Sequence, residues 1–450
     1  MNLNEFKDRL FQRAQEEGFT EYEIYYVEGN SFRVGVYEKE IDQYSVNNTI
    51  GLSFRGLYEG KMGYAYTEVL DEDAIELLIQ NGKANALAIE KDDMDIIYGG
   101  GDSYQSLNSY NEELNKVRAE EKIELALKME EEALKQSEYV KRTQHCVVSS
   151  GQGLRRIINS KGLDLTDRRN SMYAVLIPVV EKDGKMNTGV AFRASNQFSD
   201  FDPRSLAQEA VEKALAYIGA DSVPSGKYRV ALRYDAATDL LATFSDIFSA
   251  DNAQKGLSLL KGKVGQVIAS EKVTIIDDPL MEGGLCSASF DDEGVATYTK
   301  AVIEKGKLMT LLHNLKTAKK DGVKTTGNGS KASYASPVDI SPFNFYIKPG
   351  EKSYEEMLAC LDKGLLITEL QGMHSGANTV SGDFSLAAKG FWVENGKAVR
   401  PVEQITIAGN FYKLLEDVEE VGADLKFDMP AGACFGSPTI IVRELSVAGK

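Results

Sequence analysis

The sequence predicts an α+β chain, with an N-terminal mixed α/β domain built on an antiparallel sheet at 1–222 and a mostly antiparallel, β-rich C-terminal domain at 223–450. Three observations lead there. A chain of 450 residues is too long for one ordinary core, and 43% hydrophobic residues are ample material for two or three. Short β-rich runs bounded by Gly, Asn and Asp recur through both halves, interrupted by a few strongly patterned helices. Between the halves, Ala220 to Lys227 carries Asp, Ser, Pro, Ser and Gly without periodicity, as a domain boundary does.

In the first half, Phe6, Leu10, Phe11 and Ala14 share one face of a helix that Gly18 can end. Four strands are expected at Tyr22–Val27, Ser31–Tyr37, Thr49–Arg55 and Lys61–Thr67. Helical patterns follow at Asp71–Ile89 and Ser109–Leu134, the second acidic enough to read as a solvated face. Strand patterns return at Cys146–Ser149, Leu154–Ile158, Tyr173–Glu181 and Gly189–Ala194, with Asn159-Ser160-Lys161-Gly162 as a turn. Asp202 is placed to cap the last helix and Pro203 to start it, ahead of an apolar stripe from Leu206 to Ile218.

The second half opens with a strand, Tyr228–Leu232, and a helix, Asp235–Phe248, whose Leu240, Leu241, Phe244, Ile247 and Phe248 have core spacing. Strands are then expected at Val273–Asp277, Leu285–Phe290, Ala296–Ile303, Lys307–Leu312 and Asn344–Ile347, with one helix at Ser353–Lys363. A hairpin, Phe384–Val393 and Ala398–Ile407, turns at Asn395-Gly396, a type I′ signal. Thr439–Val447 is the last strand. Just before the hairpin, from Gln371, His, Ser, Asn, Thr and Asp stand among glycines in a loop on a rigid sheet, where binding or catalysis is expected.

The balance of 51 basic against 68 acidic residues gives a net charge of −17, which opposes the phosphate neutralisation that nucleic-acid binding requires. Cys146, Cys286, Cys360 and Cys434 form no CxxC pair, and free thiols in a reducing compartment are expected. Neither an apolar leader nor an 18-residue apolar run occurs, so a cytoplasmic protein without a membrane span is expected.

The three histidines, His145, His313 and His374, do not build an HExxH or HExxxH zinc site. A Ser-His-Asp triad can be drawn from Ser375 or Ser381, His374 and Asp383, without the GxSxG elbow that would expose a serine. Asp291-Asp292-Glu293 stands between two expected strands as an acidic turn, able to take a metal or an amine and equally able to be a plain β-turn. The run Thr325–Tyr334 lacks phosphate-loop spacing and reads as a flexible loop.

The segments SFDDEGVATYTKAVIEKGKL, TTGNGSKASY, QGMHSGANTVSGDFSLAAKGFWVENGK and PVEQITIAGN resemble, in that order, the C-terminal half of the TldD/PmbA family, once called modulators of DNA gyrase. Their wording is similar to the PmbA branch, also called TldE. The resemblance covers residues 227–450 and implies a cytoplasmic metalloprotease acting on unfolded peptides, in which a TldD-type partner holds zinc on an HExxxH helix. Here Ala242, Thr243 and Ile247 stand where the ligands and base would be, and Cys434 precedes Phe435-Gly436 rather than lying in a CGK stretch. The resemblance thus implies a partner subunit without metal of its own, homodimeric in isolation. Its peptide cavity would be lined by Gly372, His374, Ser375, Asn378, Ser381 and Asp383. The alternatives are a self-sufficient hydrolase using His374, Ser381 and Asp383, or a non-enzymatic adaptor.

Overall fold

The computed structural model describes residues 1–90 and 95–450 and is an α+β protein of two lobes. The first lobe is one antiparallel sheet in the order Lys61–Thr67, Glu40–Tyr58, Glu21–Tyr37, Val140–Asn159, Asp164–Lys182 and Lys185–Thr188. Ala191–Ser195 also pairs with Asp164–Lys182. Two expected pairs of short strands are in fact single long ones. Gly29 and Asn30 read as a turn but lie mid-strand, Gly29 facing Gly153, where a Cβ would come within 2.6 Å of the Gln152 carbonyl oxygen. A glycine here serves close backbone approach, not chain reversal.

Helices cover this sheet in two places, each over its own core. Leu3–Glu16, capped by Asn2, and Glu72–Leu87, capped by Asp71, bury Phe6, Leu10, Ile75 and Leu78 against Phe19, Ile24 and Phe54. Ala119–Gln136 and Pro203–Leu215 bury Leu125, Met129, Leu206 and Val211 against Val148 and Leu176. The expected Ser109–Leu134 helix is broken at Val117, whose backbone is extended, leaving a single turn, Glu112–Lys116, ahead of the main helix.

In the second lobe, Lys397–Asn410, Asp383–Glu394, Gly364–Gln371, Gly226–Leu232, Ile440–Ala448 and Val418–Val421 form one sheet. The first of these also pairs with Ile440–Ala448, so the path closes on itself. A second sheet runs Lys307–Leu308, Lys300–Glu304, Ile275–Asp277, Asn344–Ile347, Cys434–Ser437 and Lys426–Phe427. Each holds one parallel pair among antiparallel ones. The Asn395-Gly396 turn has φ of +51° and +69°, as a type I′ turn requires. Leu285–Phe290 is not a strand: its backbone is folded into turns, with the Ser287 hydroxyl donating to Met281 O and accepting from the Asn344 amide.

The helix Tyr234–Phe244, continued by a 3₁₀ turn to Phe248, packs between the two sheets. Leu240, Leu241, Phe244, Ile247 and Phe248 are fully buried, Phe244 stacking on Phe411 at 4.7 Å. The lobes meet through a buried Tyr217–Thr368 hydroxyl contact of 2.6 Å and through Tyr104, whose hydroxyl donates to Gly294 O at 2.8 Å. No helix among the described residues is long and apolar enough to cross a membrane.

The expectation of four free thiols is overturned. Cys286 and Cys434 form a disulfide, with Cα atoms 5.8 Å apart, so only Cys146 and Cys360 are free thiols. Cys434 lies beside Asn344 in the parallel pair, and the Asn344 amide binds Asp278 O and Ser287 Oγ, which brings Cys286 alongside. A separation of 148 residues hid the pairing from sequence spacing.

Candidate functional site

The glycine-rich loop from Gln371 is an exposed turn whose polar groups satisfy one another. Gly372, at φ +85°, opens a single helical turn, Met373–Gly376. The Asn378 carboxamide oxygen accepts from Val380 N at 3.0 Å and Ser381 N at 3.1 Å. The Asn410 amide donates to Asp383 Oδ1 at 2.9 Å and Ser381 Oγ to Asp383 Oδ2 at 2.8 Å, together holding that carboxyl below its usual range. His374 and Ser375 are exposed, and His374 makes no hydrogen bond to Ser381 or Asp383. A triad needs its base between nucleophile and acid; here the carboxylate accepts the serine hydroxyl's hydrogen bond directly. His145 is exposed on the first-lobe sheet, and His313 is buried with its Nδ1 unpartnered, so the three histidines stay on separate elements.

The acidic turn is buried at the lobe interface. Asp291 is 0% and Glu293 3% exposed. Asp291 accepts backbone N–H bonds from Glu293 and Val295 through Oδ1 and, at 2.8 Å, from Gly329 through Oδ2. Gly329 has to be glycine, since a Cβ there would lie 2.8 Å from Glu293 Oε2. Glu293 accepts from Leu315 N at 2.7 Å. Asp292 pairs with the Arg155 guanidinium and accepts from the Tyr25 hydroxyl at 3.0 Å and Lys331 N at 2.7 Å. Lys331 Nζ donates to Tyr64 OH at 2.6 Å, while Arg55 is bound to Glu23 at 2.7 Å, also buried. Burial pushes the Asp291 and Glu293 carboxyls up. It pulls the Lys331 ammonium down to about 7, helped by repulsion from Arg55. The Thr325–Tyr334 loop, read as flexible, is therefore the segment that closes this network.

The larger space between the lobes, about 690 Å³, lies against one face of the Tyr234–Phe244 helix. Asp235, Thr238 and Asp239, at i, i+3 and i+4, line it from that helix; Tyr217 and Phe192 line it from the first lobe. Arg233 binds Asp235 at 2.9 Å. Among the described residues the Asp239 carboxylate has no hydrogen-bond or ion-pair partner, and burial, with repulsion from Asp428, Asp235 and Glu369, pushes it up to about 7. A smaller space of about 450 Å³ adjoins the buried acidic turn and is lined by Arg155, Arg169, Asp292 and Lys331. None of the six loop residues from Gly372 to Asp383 lines either space. Sequence reasoning took the helix as purely structural; the signal it passed over was the polar i, i+3, i+4 stripe on an otherwise apolar helix.

The positions matching the HExxxH helix do not fit a zinc ion. Ala242 has no donor, the Thr243 hydroxyl is spent on Asp239 O of its own helix at 2.7 Å, and Ile247 is in the core. Cys434 is bonded to Cys286. Among the described residues, no group of three His, Cys, Asp or Glu side chains is arranged to hold a metal.

Fold and site together define a two-lobed α+β protein that closes over a cavity on a helix face. In sequence, three family domains match consecutively: the PmbA/TldA metallopeptidase domain 1 at 22–86, central domain at 112–217 and C-terminal domain at 225–449. The chain belongs to the PmbA/TldD metallopeptidase family. A crystal structure from Thermotoga maritima, a candidate modulator of a DNA gyrase, is 36% identical and superposes with a TM-score of 0.92 over 99% of this chain and 100% of that one. The metalloprotease PmbA of Escherichia coli O157:H7 is 28% identical over 74% of this chain and 71% of its own length. TldE from Thermococcus kodakarensis, 24% identical with a TM-score of 0.90 over 99% and 100% of the two chains, shares the fold.

Proposed function

We propose that this chain is a PmbA/TldE-like subunit of a cytoplasmic zinc metalloprotease acting on unfolded peptides, with the zinc held by a TldD-type partner. The reading is carried by one observation: the helix where the family's zinc site is expected presents Ala242, an internally bonded Thr243 and a core Ile247. A hydrolytic zinc needs ligands and a base for its water, and these three positions offer neither. The exposed segment of Gly372, His374, Ser375, Asn378, Ser381 and Asp383 then contributes its polar groups to a cavity completed when the partner docks. In the partner's absence the chain pairs with itself.

The test uses the purified chain with and without a TldD-type subunit bearing HExxxH, on an unstructured peptide. Alone, it is expected to hold no stoichiometric zinc by elemental analysis and to leave the peptide intact; with the partner, the peptide is cut. One tightly held zinc per chain, or metal-dependent turnover by the chain alone, overturns the proposal.

A further inference from the structure

We infer that the larger interlobe cavity binds a primary ammonium group, with the Asp239 carboxylate as counter-ion and the Thr238 hydroxyl as a second acceptor. Two independent observations meet at this point of the helix. Thr238 is 2% exposed, lines the cavity, and its Oγ1 has no hydrogen-bond partner. Five residues on, Thr243 gives its hydroxyl back to its own helix, so Thr238 had the same local option and does not use it. Buried hydroxyls without partners are uncommon, and one facing a cavity is a vacant place for a ligand atom.

The second observation is the pairing of charges around the wall. Every cation there is engaged: Arg233 with Asp235, Lys213 and Arg193 with Glu209 at 2.9 and 3.6 Å, and Lys426 over the Tyr234 ring at 4.4 Å. Among the described residues Asp239 and Asp428 have no cationic partner, and they lie close enough to repel one another. An anion entering would find its partners taken. A cation relieves the repulsion between the two carboxylates and supplies the donor that Thr238 lacks.

A divalent metal is a poor match, since among the described residues no three ligating side chains converge. An ammonium brings three N–H donors on one charge, which suits a carboxylate and a hydroxyl that line one cavity. Tyr217, Phe192, Leu285 and Phe427 line the remaining wall and accept an aliphatic or peptide stem. Two sources share this chemistry, the α-ammonium of a peptide and the side chain of a lysine. The inference rests on the proposed peptide-handling role only for the choice of these ligands.

The experiment uses the full chain at about pH 7.5, where a terminal amine is still largely protonated. Three C-terminally labelled Gly/Ser/Ala octapeptides are compared by fluorescence polarisation: one with a free α-amine, one N-acetylated, and one N-acetylated with a single Lys. Propylammonium is titrated separately by calorimetry. At least one amine-bearing peptide is expected to bind about tenfold more tightly than the acetylated one without Lys, and whichever does names the source. Asp239→Asn should abolish that discrimination and Thr238→Val should reduce it a few-fold, with near-ultraviolet circular dichroism confirming that both variants fold.

Equal binding of all three peptides, or discrimination that survives Asp239→Asn, overturns the ammonium site and leaves the peptide-handling role standing. Asp239-dependent binding of propylammonium without binding of any peptide keeps the site and overturns a peptide as its ligand. Absence of binding by every probe overturns the ammonium site, while the peptide-handling role is decided by cleavage with and without the partner.

Discussion

The two polar regions between the lobes hold similar residues in opposite conditions. Around Asp291 the carboxylates are enclosed and answered: three backbone N–H groups, the Arg155 guanidinium and a tyrosine hydroxyl meet them. Around Asp239 a carboxylate and a hydroxyl border open space and are answered by nothing. Burial raises the carboxyl pKa in both places, so a shifted pKa does not separate a joint from a site; the presence or absence of partners does.

Breaking the enclosed side gives the largest effect. Arg155→Ala would strand Asp292 in the interface without its cation, and removing one partner of a buried pair costs about 3–5 kcal/mol. Guanidinium-chloride unfolding should show that loss as a lower midpoint. A midpoint within error of the parent would mean that the lobes are not joined through this network.

The open side should respond with the opposite sign and a smaller size. With its carboxyl raised to about 7, folded Asp239 keeps its proton over a range where the unfolded chain has released it. Stability from this group is therefore complete below the unfolded pKa and falls as pH rises from about 4 toward 7. Asp235, Asp428, Glu369, Arg233 and Lys426 share the wall, and only Asp239 is altered by Asp239→Asn. The variant should melt above the parent at pH 8 and converge with it at pH 4. A constant offset at both pH values would show that titration of Asp239 is not the cause.

The exposed loop lies outside the contrast and should respond least. Ser381→Ala removes two exposed hydrogen bonds, both with Asp383, and stability should stay within about 0.5 kcal/mol. Turnover by the complex should stay within about tenfold. A loss of about a thousandfold with partner binding intact would return the loop to catalysis.

Local chemistry was legible in the sequence wherever neighbours in the chain decide it. Asp202 does accept from Ser205 N ahead of Pro203, and the Asn395-Gly396 turn has both residues at positive φ. Gly29-Asn30 carries a similar signal and was misread, because its meaning depends on Gly153 across the sheet. The same holds for the sites. Asp291-Asp292-Glu293 was visible as a cluster, but Arg155, which makes it a joint, lies 137 residues from Asp292. Gly372 to Asp383 drew notice through composition, yet much of that polarity is spent on the turn's own hydrogen bonds. Asp239 was passed over because a short polar stripe on an apolar helix says nothing until the opposite wall is known.

The Cys286–Cys434 bond makes most of the second lobe a ring, closed over 148 residues. The acidic turn and the glycine-rich loop lie within that ring, whereas the helix bearing Asp239 lies outside it. In the unfolded chain the ring forbids most of the end-to-end separations that an open segment of that length would explore, an entropic restriction of about 5 kcal/mol. Cys286 borders the smaller interlobe space and Cys434 the larger, so even a denatured molecule keeps together the two points that will divide those spaces when it refolds.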